Sequence, residues 1–197
     1  QLGIETENVI SFTETMAMLA ETTDLTADSA SSMIAQYANI TGLPENEISN
    51  FASAIVDLGN NSATTESKIL DMAQNIASAG SIAGMADSEI LAIATSLSSV
   101  GLEAQAGGTA ISRMITELQV GAETGSDEFM MMADVAGYTA NEFKALWDAD
   151  PAGALIGFVS GLSDAERNGK SAIAVLSDLE INETRLRDTL LRATSAQ

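Results

Sequence analysis

The sequence predicts an all-α fold of antiparallel helical hairpins in approximate repeats, packed as a bundle or a short solenoid-like array. Three observations carry that expectation. Apolar residues recur at helical spacing through most of the 197 residues. No run of alternating β-branched residues bounded by turn dipeptides occurs, so strand signals are absent. Only two prolines, Pro44 and Pro151, interrupt a chain dominated by Ala, Ser, Thr, Leu, Ile and Met.

Taken in order, Val9, Ile10, Phe12, Thr13, Met16, Ala17 and Leu19 predict a helix over about 5–20. Thr26 opens a second, with Ala30, Met33, Ile34 and Tyr37 inward and Gly42 at its end. Pro44 suits a first-turn position, Ile48, Phe51, Ala52, Ile55 and Leu58 follow, and Gly59 is expected to stop that helix. After a loop at Asn60, Asn61 and Ser62, a helix over about 65–79 carries Ile69, Met72, Ala73 and Ile76.

The hairpin that organises the chain begins at Gly84. Its first helix, about 88–100, places Ile90, Ile93, Ala94, Leu97 and Val100 inward and Glu89, Ala92, Thr95, Ser96 and Ser99 outward. Asp87 is expected to accept from the free amides of the first turn, and Gly101 to end the helix in the left-handed conformation. The second helix turns Ile111, Met114, Ile115 and Leu118 inward and Ser112, Arg113, Thr116, Glu117 and Gln119 outward. Its entrance, Ala104-Gln105-Ala106-Gly107-Gly108-Thr109-Ala110, is built of small side chains, which let two helix backbones approach closely; Ala106 and Ala110 share a face. The alternative is a loop that merely lacks side chains.

Beyond Gly121 a turn is expected over 123–127, with Ser126 capping a short helix that holds Phe129, Met132, Ala133 and Val135. Met130, Met131 and Met132 read as packing filler or as a pliable binding surface. Thr139 and Glu142 form a capping box. Asp150-Pro151 begins a helix expected to run to Gly161, another spans 170–179, and Asn182 caps the last, where Glu183 with Arg187 and Asp188 with Arg192 pair along a solvated face.

Laid over itself at an offset of 42 residues, the first part of the chain nearly repeats. Ile34 meets Ile76, Gly42 meets Gly84, Glu47 meets Glu89, Ile48 meets Ile90, Gly59 meets Gly101 and Met72 meets Met114. A partial third copy starts at Gly137, where Gly-Tyr-x-x-x-Glu-Phe ends at Phe143. Such a unit cannot bury its apolar stripe alone, so copies should pack side by side; chance matching in an alanine-rich helical chain is the competing explanation. The organisation expected is a hairpin-repeat region over 1–122 continuous with a helical region over 123–197.

Charge and composition exclude several functions. Eight Lys and Arg against 28 Asp and Glu give a net charge of −20, and residues 1–67 hold ten acids and no base. Such a surface repels phosphates, so direct nucleic-acid binding is not expected. There is no Cys and no His, so neither a disulfide nor a thiolate or imidazole metal site can form, and no cofactor is expected. The longest apolar run, 152–159, is far short of a membrane span. The chain opens at Gln1 rather than Met, which reads as a fragment of something longer. Paired carboxylates can hydrolyse glycosides, but Glu47, Glu89 and Glu142 each sit in a first helical turn, where capping is the simpler role. Asp148-x-Asp150-x-x-Gly153 lacks the later oxygen ligands of a calcium loop. No enzymatic activity is expected.

Residues 84–115, from Gly84-Met-Ala-Asp-Ser-Glu-Ile90 through Ala106-Gly107-Gly108-Thr109-Ala110 to Arg113, resemble the core region of phage tail tape measure proteins. The stretches 135–143, 147–155 with Asp150-Pro151, and 176–190 with Arg185 are similar to that family's later blocks. Glu180 stands where the family pattern has Gly. The resemblance implies a structural role: a helical protein inside the growing tail that sets tail length, takes part in assembly and leaves ahead of the DNA at ejection. It implies partners among tail tube proteins, tail assembly chaperones and the baseplate or tail tip, self-association of the full-length protein, and a place in the virion tail after assembly in the host cytoplasm. An acidic helical-repeat interaction module of a surface or secreted protein, or a carboxylate cell-wall hydrolase, would share this composition.

Overall fold

In the computed structural model, residues 4–179, 181 and 184–194 are described. They form eleven α-helices and no strand: α1 Val9–Thr22, α2 Ala27–Thr41, α3 Ile48–Asn61, α4 Glu66–Ile82, α5 Asp87–Ser99, α6 Ala104–Thr124, α7 Asp127–Val135, α8 Ala140–Ala149, α9 Pro151–Arg167, α10 Ala172–Asp178 and α11 Thr184–Ala193, with a 3-10 turn at Glu45–Glu47 before α3. The all-α expectation holds.

Local chemistry sets many of the boundaries. Thr26 accepts from the Ser29 amide at 3.1 Å while the Ser29 hydroxyl accepts from the Thr26 amide at 3.0 Å, which fixes the start of α2. Ser126 caps α7 by accepting from the Phe129 amide at 3.2 Å. At the other ends, Gly42, Gly84, Gly101, Gly125 and Gly137 all take positive φ. After Gly84 the Met85 amide reaches back to the Gly80 carbonyl at 2.9 Å, and after Gly137 the Tyr138 amide reaches the Ala133 carbonyl at 2.9 Å. Both are Schellman closures, and each sends the following apolar residue back toward the helix it has just left.

The first six helices form two layers. In one, α1 packs on α3 and α3 on α5; in the other, α2 packs on α4 and α4 on α6, while the pairs α1/α2, α3/α4, α4/α5 and α5/α6 join the layers. The repeat is real, and its period is shorter than the 42-residue sequence match. Helices α1, α3 and α5 begin at Val9, Ile48 and Asp87, 39 residues apart each time, and α2, α4 and α6 begin at Ala27, Glu66 and Ala104, 39 and 38 apart. The second-layer helices lengthen from 15 to 17 to 21 residues, which carries their terminal glycines, Gly42, Gly84 and Gly125, to spacings of 42 and 41. Sequence matching had locked onto the helix ends.

Several boundaries differ from expectation. Gly59 does not stop α3, which continues to Asn61; its missing side chain instead leaves room for the buried Glu66 of α4, whose carboxylate lies where a Cβ would project. Gly161 lies inside α9 rather than at its end, because the Val135 carbonyl passes against it. The turn expected at 123–127 starts later, since α6 runs through Gly121 to Thr124 and ends on Gly125. On α5 the outward assignment of Thr95 is corrected: Leu91, Thr95 and Ser98 are all buried. Burial is tolerated because the Thr95 hydroxyl donates to the Leu91 carbonyl at 2.7 Å and Ser98 to the Thr95 carbonyl at 3.1 Å. The expectations at Glu180, Asn182 and Glu183 lie outside the described residues.

Helices α7 to α11 cover the far end of the two layers. There α7 and α8 lie against α6, α9 against α5, and α11 against both α5 and α6. The indole of the buried Trp147 in α8 donates to Gln119 of α6 at 2.9 Å, so Gln119 is not simply an outward residue. Phe143 is fully buried between Phe129 and Tyr138, with ring centroids at 5.2 and 6.1 Å. No helix among the described residues is long and apolar enough to cross a membrane.

Candidate functional site

The segment that carries the sequence motif is the junction of α4, α5 and α6. Its helices meet at van der Waals distance because glycines face them: a Cβ on Gly80 would press on Ile90, one on Gly107 would come within 3.2 Å of Leu102 and 3.3 Å of Met72, and one on Gly108 would overlap Cβ of Asn75. Close packing at this entrance is therefore observed, and it rests on Gly107, Gly108 and Ala110, which are buried, while Ala106 is half-exposed. The approach also brings the Ser112 hydroxyl onto the Asn75 carbonyl at 2.5 Å, so Ser112 points to α4 and not to solvent. Thr109 remains exposed. Arg113 pairs with Glu117 one turn on at 2.8 Å and stands at the edge of a groove of about 390 Å³ whose walls include Val120, Phe129 and Met132.

The carboxylates in this region are engaged by backbone. Glu89 accepts from the Ala86 amide at 2.7 Å. Glu142 accepts from the Thr139 amide at 3.0 Å and the Thr139 hydroxyl at 2.7 Å, and these bonds, the side-chain one first, hold its carboxyl below the usual range. Asp150 accepts from the Gly153 amide at 2.7 Å, with Pro151 buried at the first position of α9. Glu47 differs from its counterparts: it lies in the 3-10 turn and accepts from the Asn50 side chain at 2.8 Å. Asp87 does not cap α5. Its carboxylate accepts from the Tyr37 hydroxyl at 2.8 Å, tying α2 to the start of α5, while Tyr37 stacks on Phe51 at 4.5 Å. Burial first and the Asp87 carboxylate second push the Tyr37 phenol far upward, so it stays a donor.

The motif residues do not converge on one centre. Gly84, Gly101 and Gly137 sit at turns, Phe143 in the core, and Arg185 on the exposed side of α11. Only Glu89 and Asp150 meet, at a largely apolar groove of about 360 Å³ between α5 and α9 that is floored by Leu97, Ile111 and Leu155. Among the described residues, no group of three or more His, Cys, Asp or Glu side chains is placed to hold a metal ion. Of the three consecutive methionines, Met132 is core and Met130 and Met131 are exposed.

The family model for phage-related minor tail proteins matches residues 1–193. The chain belongs to that family. No curated protein and no solved structure matches it. As a phage-related minor tail protein the chain is a structural component of a phage tail, its place is the virion tail, and its partners are other tail proteins. Sequence reasoning missed the contacts that hold this tail protein together across units, among them Tyr37 with Asp87 and the Ser67 amide and hydroxyl with Asp24 at 3.0 and 2.6 Å. Only the unusual burial of a tyrosine in an alanine-rich stripe hinted at the first.

Proposed function

We propose that this minor tail protein is a region of a tape measure protein, acting without catalysis in tail length determination, assembly and DNA ejection. What carries the reading is the tail-protein match over 1–193 together with the ordered motif from Gly84 to Arg113, which resembles the tape measure core. The structure supports a non-enzymatic role, since Glu89, Glu142 and Asp150 use carboxylate oxygens on backbone amides and each is a helix-start group. Partners within the tail are the tube, the assembly chaperones and the baseplate or tip. With a net charge of −20, the chain can pass beside DNA without adhering to it.

The test is a stop codon placed in the gene in its phage, read by electron microscopy. Absent tails, or tails of uncontrolled length, are the expected result; tails of normal length and number refute the tape measure role. Zymography on peptidoglycan should show no cleared band, and clearing would restore the carboxylate hydrolase.

A further inference from the structure

The two ends of the layered array are finished differently. At the far end, α9 and α11 cover α5. At the near end, α1 packs on α2 and α3 and turns its other side outward, where Ile10 is 73% exposed and Met18 68% exposed. The 39-residue register says what that side corresponds to. Where α1 meets α3, the wall contributed by α3 is Ser49, Ala52, Ser53 and Val56. Shifted back by one unit, those positions are Ile10, Thr13, Glu14 and Ala17, and all four are exposed. They form the same side of the same kind of helix, a seat for a preceding first-layer helix. A solenoid end that is not covered normally carries a polar outer face, and Ile10 and Ala17 depart from that rule.

Charge decides the occupant. Glu14 and Glu21 flank the apolar positions of α1, Glu7 lies just before it, and the first base in the chain is Lys68, on the other layer. A second copy of this face would bring carboxylates against carboxylates. We propose that the outer face of α1 docks an amphipathic helix of a partner protein, one that carries lysine or arginine beside a stripe of small and medium apolar side chains. This inference stands apart from the tape measure reading, because it rests on the register of the helices and the charge of α1.

The geometry also supplies a probe. Thr15, Met18 and Leu19 are the α1 residues that line its contact with α3, so a copy of α1 has the shape that fits the equivalent seat on α1 itself. The probe is a labelled peptide of residues 5–24 carrying Glu7→Lys, Glu14→Lys and Glu21→Lys, titrated into the 197-residue chain and followed by fluorescence anisotropy. Saturable, salt-sensitive binding is expected. Ile10→Asp with Ala17→Asp in the protein should weaken it about tenfold or more, because each new carboxylate would lose hydration in the contact. Both sites are exposed, so an unchanged melting temperature verifies that the double variant is folded. No saturable binding overturns the proposal, as does equal affinity for the double variant, which would mean the peptide displaces α1 instead. Equally tight binding of the unsubstituted acidic peptide, or self-association of the chain that Ile10→Asp abolishes, would assign the face to a second copy and overturn the basic partner.

Discussion

Gly157 and Gly161 lie one turn apart on α9 and meet opposite surroundings. A Cβ on Gly157 would touch only the Tyr138 ring, at 3.8 Å, whereas one on Gly161 would collide with the backbone carbonyl of Val135. Gly157→Ala should therefore stabilise the chain by up to about 1 kcal/mol through helix propensity. Gly161→Ala should cost about 1 to 3 kcal/mol, because α7 and α9 must separate. Urea denaturation midpoints of the two variants moving in the same direction would contradict this. Gly108→Leu belongs with the second case, at about 1 to 3 kcal/mol, since Asn75 of α4 fills the space a side chain needs. Charge at this scale is just as local. Burial raises Asp24, but the Ser67 hydroxyl and amide outweigh that and hold its carboxyl below the usual range; burial, and then the Asp24 charge, raise Asp71. The signs oppose. The stabilisation from Asp24 is present above its unfolded-state pKa and lost as pH falls through the lower folded value, while the penalty at Asp71 is full above its raised pKa and disappears in acid. Asp71→Asn should raise stability at pH 7 by a few tenths of a kcal/mol, a surface-sized effect, and do nothing below about pH 4. Thermal melts at the two pH values test both halves.

At the scale of elements, what could be read in the sequence was what depends on neighbours in sequence. The caps at Thr26, Ser126 and Thr139 and the left-handed glycines at Gly42, Gly84, Gly101 and Gly137 are set within a few residues, and the structure has them where the spacing put them. Glycines inside helices were misread for the same reason. Gly59 and Gly161 look like stops until Glu66 and Val135, brought by other helices, are seen to occupy the space beside them. Thr95 and Ser98 were placed by a single apolar stripe, and α5 is in fact covered on more than one side, by α3, α4, α9 and α11. Two substitutions separate the local from the long-range contribution. Thr26→Ala removes a cap and should cost about 1 kcal/mol. Tyr37→Phe keeps the stacking on Phe51 but removes the donor to Asp87, and should cost about 1 kcal/mol more than an exposed Tyr→Phe change such as Tyr138→Phe. If Tyr37→Phe is silent in chemical denaturation, the bond to Asp87 does not secure α2 against α5.

For the whole molecule, the unit of the array decides which deletion is informative. Residues 48–86 comprise α3, α4 and the turn after them, 39 residues that restore the same kind of junction when removed. A deletion cut to the 42-residue sequence match would instead leave three residues out of register at a helix start. If this region were drawn out as continuous helix in the tail, each residue would add about 1.5 Å, and losing 39 would shorten the tail by about 58 Å. In the layered fold the chain turns back at Asn61 and again at Gly84, so α3 and α4 lie side by side and contribute width rather than length. Removing them also strips cover from α2 and α5, and the new contact must form between helices whose side chains were matched to other partners. The deletion, made in the parent gene and read by electron microscopy of virions, is therefore expected to leave tail length within a small fraction of that decrement while lowering the number of complete tails. A clean shortening near 58 Å at normal yield would mean that α3 and α4 are extended in the assembled tail and that the layered fold belongs to the protein before assembly.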